Sequence, residues 1–277
     1  MSSMRVLLVT GSAILLNLTP VHAQDRLFPA VRSFELPEAS PRVYGVVGRL
    51  LSTRGGESSF GDEREAEVVI GENLPLLAIK RGPRPIVLGL GTQVYGRFSL
   101  SDSKTALISV DWVAGLNTTA LLGDMAFTVQ MYHESSHLGD EYGDRFQAQR
   151  IDWSREAIAG WITYAAGQWK LTGGASYVLY DGLGLPRAGA AIGLDWGAGR
   201  HRFLTRPFEP IVGLYTEGSA ATDWRLSTSA KLGVAVRGKG GGRSVGLALV
   251  GHDGLSTQRQ FFRRESRYLG LEVRFDL

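Results

Sequence analysis

Strict alternation of apolar and polar residues is the feature of this chain that most restricts its fold. In the last segment, one face of an extended strand would carry Leu269, Leu271, Val273, Phe275 and Leu277. The opposite face would carry Tyr268, Gly270, Glu272, Arg274 and Asp276. Side chains alternate in this way between the two sides of a β-strand. Because the second face is repeatedly ionic, the pattern predicts lipid on one side and a polar interior on the other, as in a transmembrane β-barrel.

The same alternation recurs along most of the chain and predicts twelve strands. We place them at 43–52, 64–80, 84–98, 105–116, 121–133, 152–165, 168–180, 187–197, 203–217, 222–237, 243–252 and 267–277. The second span contains Pro75, which we expect to bend or interrupt the strand, since proline cannot donate a ladder hydrogen bond. An even number of strands places both ends of the barrel sequence in the periplasm.

Most connections between the predicted strands agree with this topology, but three links expected outside the cell, near Asp102, Gly182 and Gly218, are short. Short links, typical of periplasmic turns, occur at 81–83, 166–167, 197–199 and 238–242, and another is expected near 117–119. Longer links, expected outside the cell, occur at 53–63, 134–151 and 253–266. Six tryptophans lie within or near predicted strand ends, as the aromatic girdles of barrels require: Trp112, Trp153, Trp161, Trp169, Trp196 and Trp224. For each of them, an ordinary buried core tryptophan is the alternative.

The first residues have the order of a secretory signal peptide. A short basic start precedes an apolar stretch from Val6 to Leu18, and residues 21–23 supply the small residues of a cleavage site. We therefore predict a cleaved signal peptide at 1–23, a periplasmic lead-in or partial plug at 24–42, and the barrel at 43–277. The lead-in contains three prolines and predicts no strand.

Composition excludes several other classes of protein. No other stretch reaches the roughly 18 apolar residues of a transmembrane helix, and 36 glycines favour an all-β chain with short turns. The absence of cysteine excludes disulfides, thiolate-bound metals and a lipid-anchored lipoprotein. A net charge of +3 with scattered basic residues indicates no nucleic-acid partner. We expect a monomer in the outer membrane of a Gram-negative bacterium, folded by the barrel-assembly machinery and in contact with outer-membrane lipid or lipopolysaccharide.

A polar segment, residues 132–142, stands apart at the outer end of the fifth predicted strand. Its block His133-x-Ser135-Ser136-His137-Leu138-Gly139-Asp140-Glu141 resembles the signature of domain-of-unknown-function family 1207, a set of bacterial envelope proteins. Two other parts of the chain are similar to that family: Leu27-Phe28-Pro29, and the end from Asp253-Gly254 through Phe261-Phe262 to Leu269-Gly270. The resemblance covers most of the mature chain and implies an envelope protein without assigning an activity to it.

The pair His133 and Ser135 also resembles the catalytic pair of outer-membrane lipid A deacylases, barrels whose His-Ser-Glu triad faces the outer leaflet. The resemblance implies His133 as general base and Ser135 as nucleophile in acyl-ester hydrolysis, with a carboxylate that orients the base. The alternation of the strand favours the same hypothesis. His133 and Ser135 continue the row of alternate apolar residues from 125 to 131 and would point toward lipid. Glu141 is the nearest acid in sequence, and Glu156 is predicted to face the same way on the next strand. The leading hypothesis is therefore a serine-type hydrolase of lipid A or phospholipid.

Two other interpretations of the block stay open at this point. Residues 133–137 match the His-Glu-x-x-His pattern of zinc proteases, which needs a helix to bring both histidines to one face. A looser site for one divalent cation at the outer rim would use His133, His137, Asp140 and Glu141. In the third interpretation the cluster is structural, and its polar groups hydrogen-bond one another to order a long loop.

The inward faces of the predicted strands make a polar lumen. It would be lined by Gln93, Arg97, Asp111, Gln130, Lys170, Asp195, Arg225, Lys231, Glu272 and Arg274. Twelve strands enclose more space than side chains alone need to fill, but charges of mixed sign can pair and close it. The alternative function is therefore a structural barrel or a narrow channel. Basic residues of the last loop could approach lipopolysaccharide phosphates, although a solvated loop face is favoured: Arg259, Arg263, Arg264 and Arg267.

Overall fold

The computed structural model describes residues 26–29, 34–54, 64–81, 84–101, 106–197, 208–237 and 244–276, so the predicted signal peptide lies outside the described residues. The strands are β1 (Arg26–Leu27), β2 (Gly45–Arg54), β3 (Arg64–Arg81), β4 (Arg84–Ser99), β5 (Leu107–Leu122), β6 (Met125–Leu138), β7 (Ser154–Ala166), β8 (Trp169–Asp181), β9 (Ala188–Trp196), β10 (Phe208–Ser219), β11 (Ser227–Arg237), β12 (Ser244–Leu255) and β13 (Glu265–Asp276). The described connections contain helix α1 (Asp140–Phe146) and two 3-10 turns, Ala220–Thr222 and Arg259–Phe261. No helix within the described ranges is long and apolar enough to cross a membrane.

In the described part of the chain, the twelve strands β2 to β13 form a closed antiparallel barrel. Each strand pairs with its neighbours in sequence, and β13 closes the barrel by pairing with β2, where Leu271 lies opposite Leu50. Closure leaves no unpaired barrel edge, which lipid could not hydrogen-bond. The short β1 adds a two-residue pairing to β3, so the prediction of no strand in the lead-in is wrong at Arg26 and Leu27. The predicted all-β barrel of about twelve strands is confirmed.

Most predicted strand limits lie within a few residues of the observed ones. The turn expected near 117–119 is wrong, because β5 continues through these residues and the chain turns at Gly123 and Asp124. Asn117 faces the lumen, where its Nδ2 donates to Asn73 Oδ1 at 2.8 Å. Polar residues that hydrogen-bond inside the barrel therefore extend the strand rather than end it.

Strands β3 and β6 also differ from their predicted course. Strand β3 continues through Pro75, and its pairing with β4 shifts register between Pro75 and Leu77. Strand β6 extends to Leu138, beyond its predicted end at residue 133, so that His133 and Ser135 both lie within regular strand. The predicted start of a strand at 203 falls outside the described residues, which resume at 208.

Buried ion pairs fill one side of the lumen. Arg97 donates to Glu65 and Glu67 at 2.8 Å each, and Arg49 Nε donates to Glu272 Oε2 at 2.8 Å. All five side chains are buried. The outside of the barrel is covered by large apolar side chains, among them Leu50, Met131, Ile192, Leu214, Leu247 and Leu271. The polar-in, apolar-out alternation is therefore the arrangement that lipid on the outside requires.

Residues 34–44, which are the described end of the lead-in and the two residues before β2, run through the lumen. The Glu38 backbone N–H donates to Asp195 Oδ1 at 2.9 Å, and Arg42 forms an ion pair with Asp111 of β5. Inward-facing glycines of the wall make room for this segment. A Cβ on Gly193 would lie 2.4 Å from the Pro37 ring. The lead-in thus narrows the lumen.

The connection between β12 and β13 folds into one mouth of the barrel, at the end that the sequence predicts to lie outside the cell, and we call residues 256–264 the mouth loop. Phe261 of this loop packs edge-on against Tyr142 of α1, with ring centroids 5.2 Å apart. Arg264 Nη1 donates to the same tyrosine hydroxyl at 3.1 Å. Both rings are buried in a small core that includes Ile108 of β5. The two outer connections therefore cover the mouth together.

The tryptophans divide between the two sides of the wall. Trp112, Trp169 and Trp224 are about half exposed, as expected for an aromatic girdle. Trp153 is buried, and Trp161 turns inward, where its Nε1 donates to a glutamine side chain at 3.0 Å. The girdle prediction is therefore wrong for Trp153 and Trp161, which hydrogen-bond inside the barrel.

Candidate functional site

The outer end of β6 carries polar side chains on both faces of the barrel wall. His133 and Ser135 share the outward face with Met131, whose side chain is more than half exposed. Glu134 and Ser136 point inward and are buried. The alternation of a strand therefore separates an outer pair from an inner pair.

Glu156 of β7 lies directly opposite His133 in the strand pairing. Its Oε1 is 2.8 Å from His133 Nδ1, and the two side chains are 44% and 43% exposed. In the tautomer with its proton on Nδ1, His133 donates to this carboxylate and keeps Nε2 as the basic nitrogen, as a general base requires. Of the two predicted acids, the structure thus brings Glu156 to the histidine. Glu141 lies exposed in the first turn of α1.

Ser135 is the next outward-facing residue of β6 after His133. Two strand residues span about 7 Å, so the hydroxyl and the imidazole are neighbours on one face. No hydrogen bond joins these two side chains in the part of the chain that the structure describes. Catalytic hydrogen bonds are often loose before substrate binds. In the pairing, Ser135 lies opposite Trp112 of β5 and Ser154 of β7.

These residues lie at the outer margin of the apolar surface that faces lipid. Trp112, beside Ser135, is 50% exposed, and Tyr180, beside Glu156, is 58% exposed. Exposed aromatic side chains of this kind mark the membrane–water interface of barrels. Toward the middle of the strand, the same face continues with apolar Ile158. The outward-facing pair therefore lies at one margin of the apolar surface, beside exposed aromatic side chains.

Glu134, on the inner face, is hydrogen-bonded through both carboxylate oxygens. Oε1 accepts from Arg42 Nη1 at 3.0 Å and from Arg259 Nε at 2.9 Å, and Oε2 accepts from Trp153 Nε1 at 3.0 Å. Burial disfavours the charged guanidinium, but Glu134 and then Glu217 hold the pKa of Arg259 above its ordinary value. Arg259, expected on a solvated loop face, is instead turned into the barrel by this ion pair.

Ser136 is held from several directions. Its Oγ donates to Asp111 Oδ1 at 2.5 Å, its N–H donates to the Trp153 carbonyl at 3.1 Å, and its carbonyl accepts from Gln260 Nε2 at 3.0 Å. Sequence reasoning missed these partners because they lie far away along the chain. The one local signal was the alternation, which predicts that Glu134 and Ser136 face inward.

The structure does not bring His133, His137, Asp140 and Glu141 together as a cation site. The two histidines are four residues apart in β6, or about 13 Å along a strand, rather than on one turn of a helix. Asp140 and Glu141 are exposed at the start of α1. Across the described ranges, no group of three or more His, Cys, Asp or Glu side chains is arranged to hold a metal ion.

Most of the residues predicted to line the lumen have a polar partner inside the barrel, and four of them form two pairs with one another. Lys170 Nζ lies 3.1 Å from Asp195 Oδ2, and Lys231 Nζ lies 2.6 Å from Glu272 Oε1. Arg225 is an exception, since it is half exposed, precedes the start of β11 and contacts Glu265 at the start of β13. A cavity of about 220 Å³ remains inside the barrel, and its lining includes Leu36, Ser40, Tyr44, Gln130, Tyr132, Trp161 and Tyr215.

A family model described as a protein of unknown function, DUF1207, matches residues 53–277. The matched region includes β3 to β13 and the whole polar block. No curated protein sequence matches the chain.

Solved outer-membrane barrels are similar to this chain in fold. The outer membrane phospholipase of Salmonella typhi, a dimer with bound calcium, matches with a TM-score of 0.61 and 12% identity over 88% of this chain and 93% of that one. Outer membrane phospholipase A from Escherichia coli matches with a TM-score of 0.58 and 13% identity over 87% and 94%. LpxR from Salmonella typhimurium matches with a TM-score of 0.40 and 10% identity over 84% and 100%. The phospholipase likeness shows a shared barrel fold and indicates the outer membrane.

Proposed function

The chain belongs to the DUF1207 family of proteins of unknown function, and we propose that it is an outer-membrane hydrolase of lipid acyl esters. Its catalytic residues in this proposal are His133, Ser135 and Glu156. The observation that carries the proposal is the 2.8 Å contact between His133 Nδ1 and Glu156 Oε1 on the lipid-facing surface. Ionisable residues that face lipid are costly, and they are functional candidates by default.

The proposed reaction follows the logic of a serine hydrolase. Ser135 Oγ attacks the ester carbonyl carbon while His133 Nε2 takes the hydroxyl proton, and Glu156 stabilises the imidazolium. When the tetrahedral intermediate collapses, the bond to the alcohol oxygen breaks and the imidazolium gives that oxygen its proton. Water, activated by the same imidazole, then hydrolyses the acyl-serine and releases the fatty acid.

The position of the site supports a membrane lipid as the substrate. Trp112 and Tyr180 flank the catalytic residues at the level of the lipid headgroups. Met131 and Ile158 continue the same face as an apolar surface that can receive an acyl chain. The shared barrel fold with two outer membrane phospholipases supports the same substrate class. Phospholipid and lipid A of the outer leaflet are the two candidates.

A narrow channel is supported less well than a hydrolase. The lead-in occupies part of the lumen through the contacts of Glu38 and Arg42, and the lumenal charges pair with one another. A purely structural role leaves the outer pair without a purpose, because the inner contacts of Glu134 and Ser136 already order the end of β6.

Mass spectra of phospholipids and lipid A from cells with and without the gene test the proposal in the membrane. We expect lysophospholipid, or lipid A lighter by one acyl chain, only in cells that make the protein. A strain that makes Ser135→Ala should match the strain without the gene. Identical spectra in all three strains, with the protein present in the outer membrane, would contradict the proposal.

A further inference from the structure

We propose that Arg259 of the mouth loop is a positioning residue for Ser135. It holds the end of β6 from inside the barrel, while Ser135 faces lipid on the outside. The inference rests on the proposed function for its catalytic readout, but its geometry stands on the described contacts alone.

The first step is the connection between the two faces of β6. Glu134 and Ser135 are consecutive, so a displacement of one backbone moves the other. Arg259 holds both strands at this level. Its Nε donates to Glu134 Oε1 of β6 at 2.9 Å, and its backbone N–H donates to Asp111 Oδ2 of β5 at 3.1 Å. A single loop residue thus joins the two strands on which Ser135 and Trp112 lie opposite each other.

The second step is the anchoring of the mouth loop itself. Ser109 Oγ of β5 donates to Gln258 Oε1 at 2.8 Å. Gln260 Nε2 donates to the carbonyls of Ser136 and Ile151 at 3.0 Å each. Gln258 and Gln260 are both buried. Arg259 therefore lies between two anchored neighbours, and its guanidinium is held in place rather than free to follow the strand.

The same network reaches the strand that carries Glu156. Arg155, the preceding residue of β7, points inward and donates through Nη2 to Asp181 Oδ2 at 2.8 Å. Its guanidinium lies over the ring of Trp153 at 4.4 Å, and that of Arg259 lies over the same ring at 5.6 Å. Both catalytic strands are thus fixed from inside the barrel through one tryptophan.

Replacement of Arg259 should change the position of Ser135 without preventing the barrel from folding. Glu134 keeps Arg42 and Trp153 as partners in Arg259→Ala, so the barrel is expected to form. The end of β6 loses its ion pair with the mouth loop and keeps only the bond from Gln260 to the Ser136 carbonyl. Misplacement of a nucleophile by about 1 Å costs up to roughly 100-fold in rate. We expect kcat to fall about 10- to 100-fold with KM within about twofold of the wild-type value.

Two variants on the same loop serve as controls. Arg263 is exposed, and its guanidinium lies over the Phe262 ring, so that Arg263→Ala should leave kcat unchanged. Arg259→Lys keeps a cation that can donate to Glu134 and should restore part of the activity. If Arg259→Ala does not fold, Gln260→Ala removes the bond to the Ser136 carbonyl and is measured in the same way.

A spin label at Ser135→Cys gives a readout that needs no activity, because the chain contains no cysteine of its own. Arg259→Ala should increase the mobility of the label, and Arg263→Ala should not. Unchanged mobility would overturn the positioning role, whatever happens to kcat. If the label becomes more mobile in Arg259→Ala but the wild type hydrolyses no lipid, the proposed hydrolase activity is overturned. The link between Arg259 and the position of residue 135 would then still be supported.

Discussion

His133 Nδ1 lies 2.8 Å from Glu156 Oε1 across the pairing of β6 with β7, on the outer surface of the barrel. The next outward residues of these strands, Met131 and Ile158, are apolar and exposed. A histidine–glutamate pair is unfavourable in such surroundings unless it lies near the headgroups. The contact makes Glu156 the orienting acid of the proposed triad.

Replacement of this acid should slow hydrolysis without unfolding the barrel. In Glu156→Ala, His133 loses the group that fixes its tautomer, and we expect kcat to fall roughly 100-fold or more. Glu156→Gln should also lose most of the activity, because its amide can donate to Nδ1 and cannot stabilise the imidazolium by charge. Glu141→Ala is the matched control, since that exposed carboxylate in α1 does not contact the histidine. Equal losses from Glu141→Ala and Glu156→Ala would contradict the assignment.

The orientation of the barrel can be tested with single cysteines, because the chain has none. Asp144 lies in α1 of the β6–β7 connection, and Asp124 lies in the tight turn between β5 and β6 at the opposite end. An impermeant thiol reagent on intact cells should label Asp144→Cys, and it should label Asp124→Cys only after lysis. The reverse pattern would mean that Ser135 faces the inner leaflet.

The barrel could be predicted from the sequence because alternation is a local signal. In each strand, the row of alternate apolar side chains, such as the one through Leu269 and Leu271, indicates the face that lipid covers. Strand ends were less certain, because lumenal polar residues such as Asn117 resemble turn residues when their partners are unknown. Asn117 bonds Asn73 on another strand, and no local pattern reveals that pairing.

The candidate site could be predicted only in part for the same reason. Parity placed His133, Ser135 and Glu156 on one face, but the register between β6 and β7 decides which acid meets the histidine. The long connection between these strands leaves that register open in the sequence. The inner contacts of Arg259 with Glu134 span 125 residues, and the alternation indicates only that Glu134 faces inward.

Low pH should weaken the attachment of the lead-in to the barrel wall, because protonation of Glu38 removes its ion pairs with Arg274 and Lys231. Burial opposes the charge of this carboxylate, but Arg274, Lys231 and Lys170 hold its pKa at about 2, below the usual 4.5. The ionised Glu38 carboxylate stabilises the fold fully above about pH 4.5, and this contribution is lost as the pH falls toward about 2. By the relation between pKa shift and free energy it amounts to about 3 kcal/mol at neutral pH.

Thermal unfolding in detergent between pH 2 and pH 7 measures this contribution. Glu38→Gln should unfold at a lower temperature than the wild type at pH 7, and the two curves should converge near pH 2. A constant difference across the whole pH range would show that the ionisation of Glu38 is not what stabilises the lead-in.

Displacement of the lead-in should raise the conductance of the barrel. A Cβ on Gly193 would lie 2.4 Å from Pro37, whereas one on Gly173 would meet no atom within 4 Å. In planar bilayers we expect Gly193→Val to conduct ions better than the wild type and Gly173→Val to match it. Equal conductance of all three proteins would mean that residues 34–44 do not obstruct the lumen.

Release of fatty acid by purified protein tests the central claim most directly. Wild type, Ser135→Ala and Ser136→Ala are incubated with phospholipid or lipid A in detergent micelles, with calcium or with a chelator, and the products are measured by mass spectrometry. Ser135 faces outward beside His133, whereas Ser136 is buried against Asp111. We predict that the wild type releases fatty acid, that Ser135→Ala releases none, and that folded Ser136→Ala retains most of the activity. No release by the wild type from either lipid, or full activity in Ser135→Ala, would contradict the account.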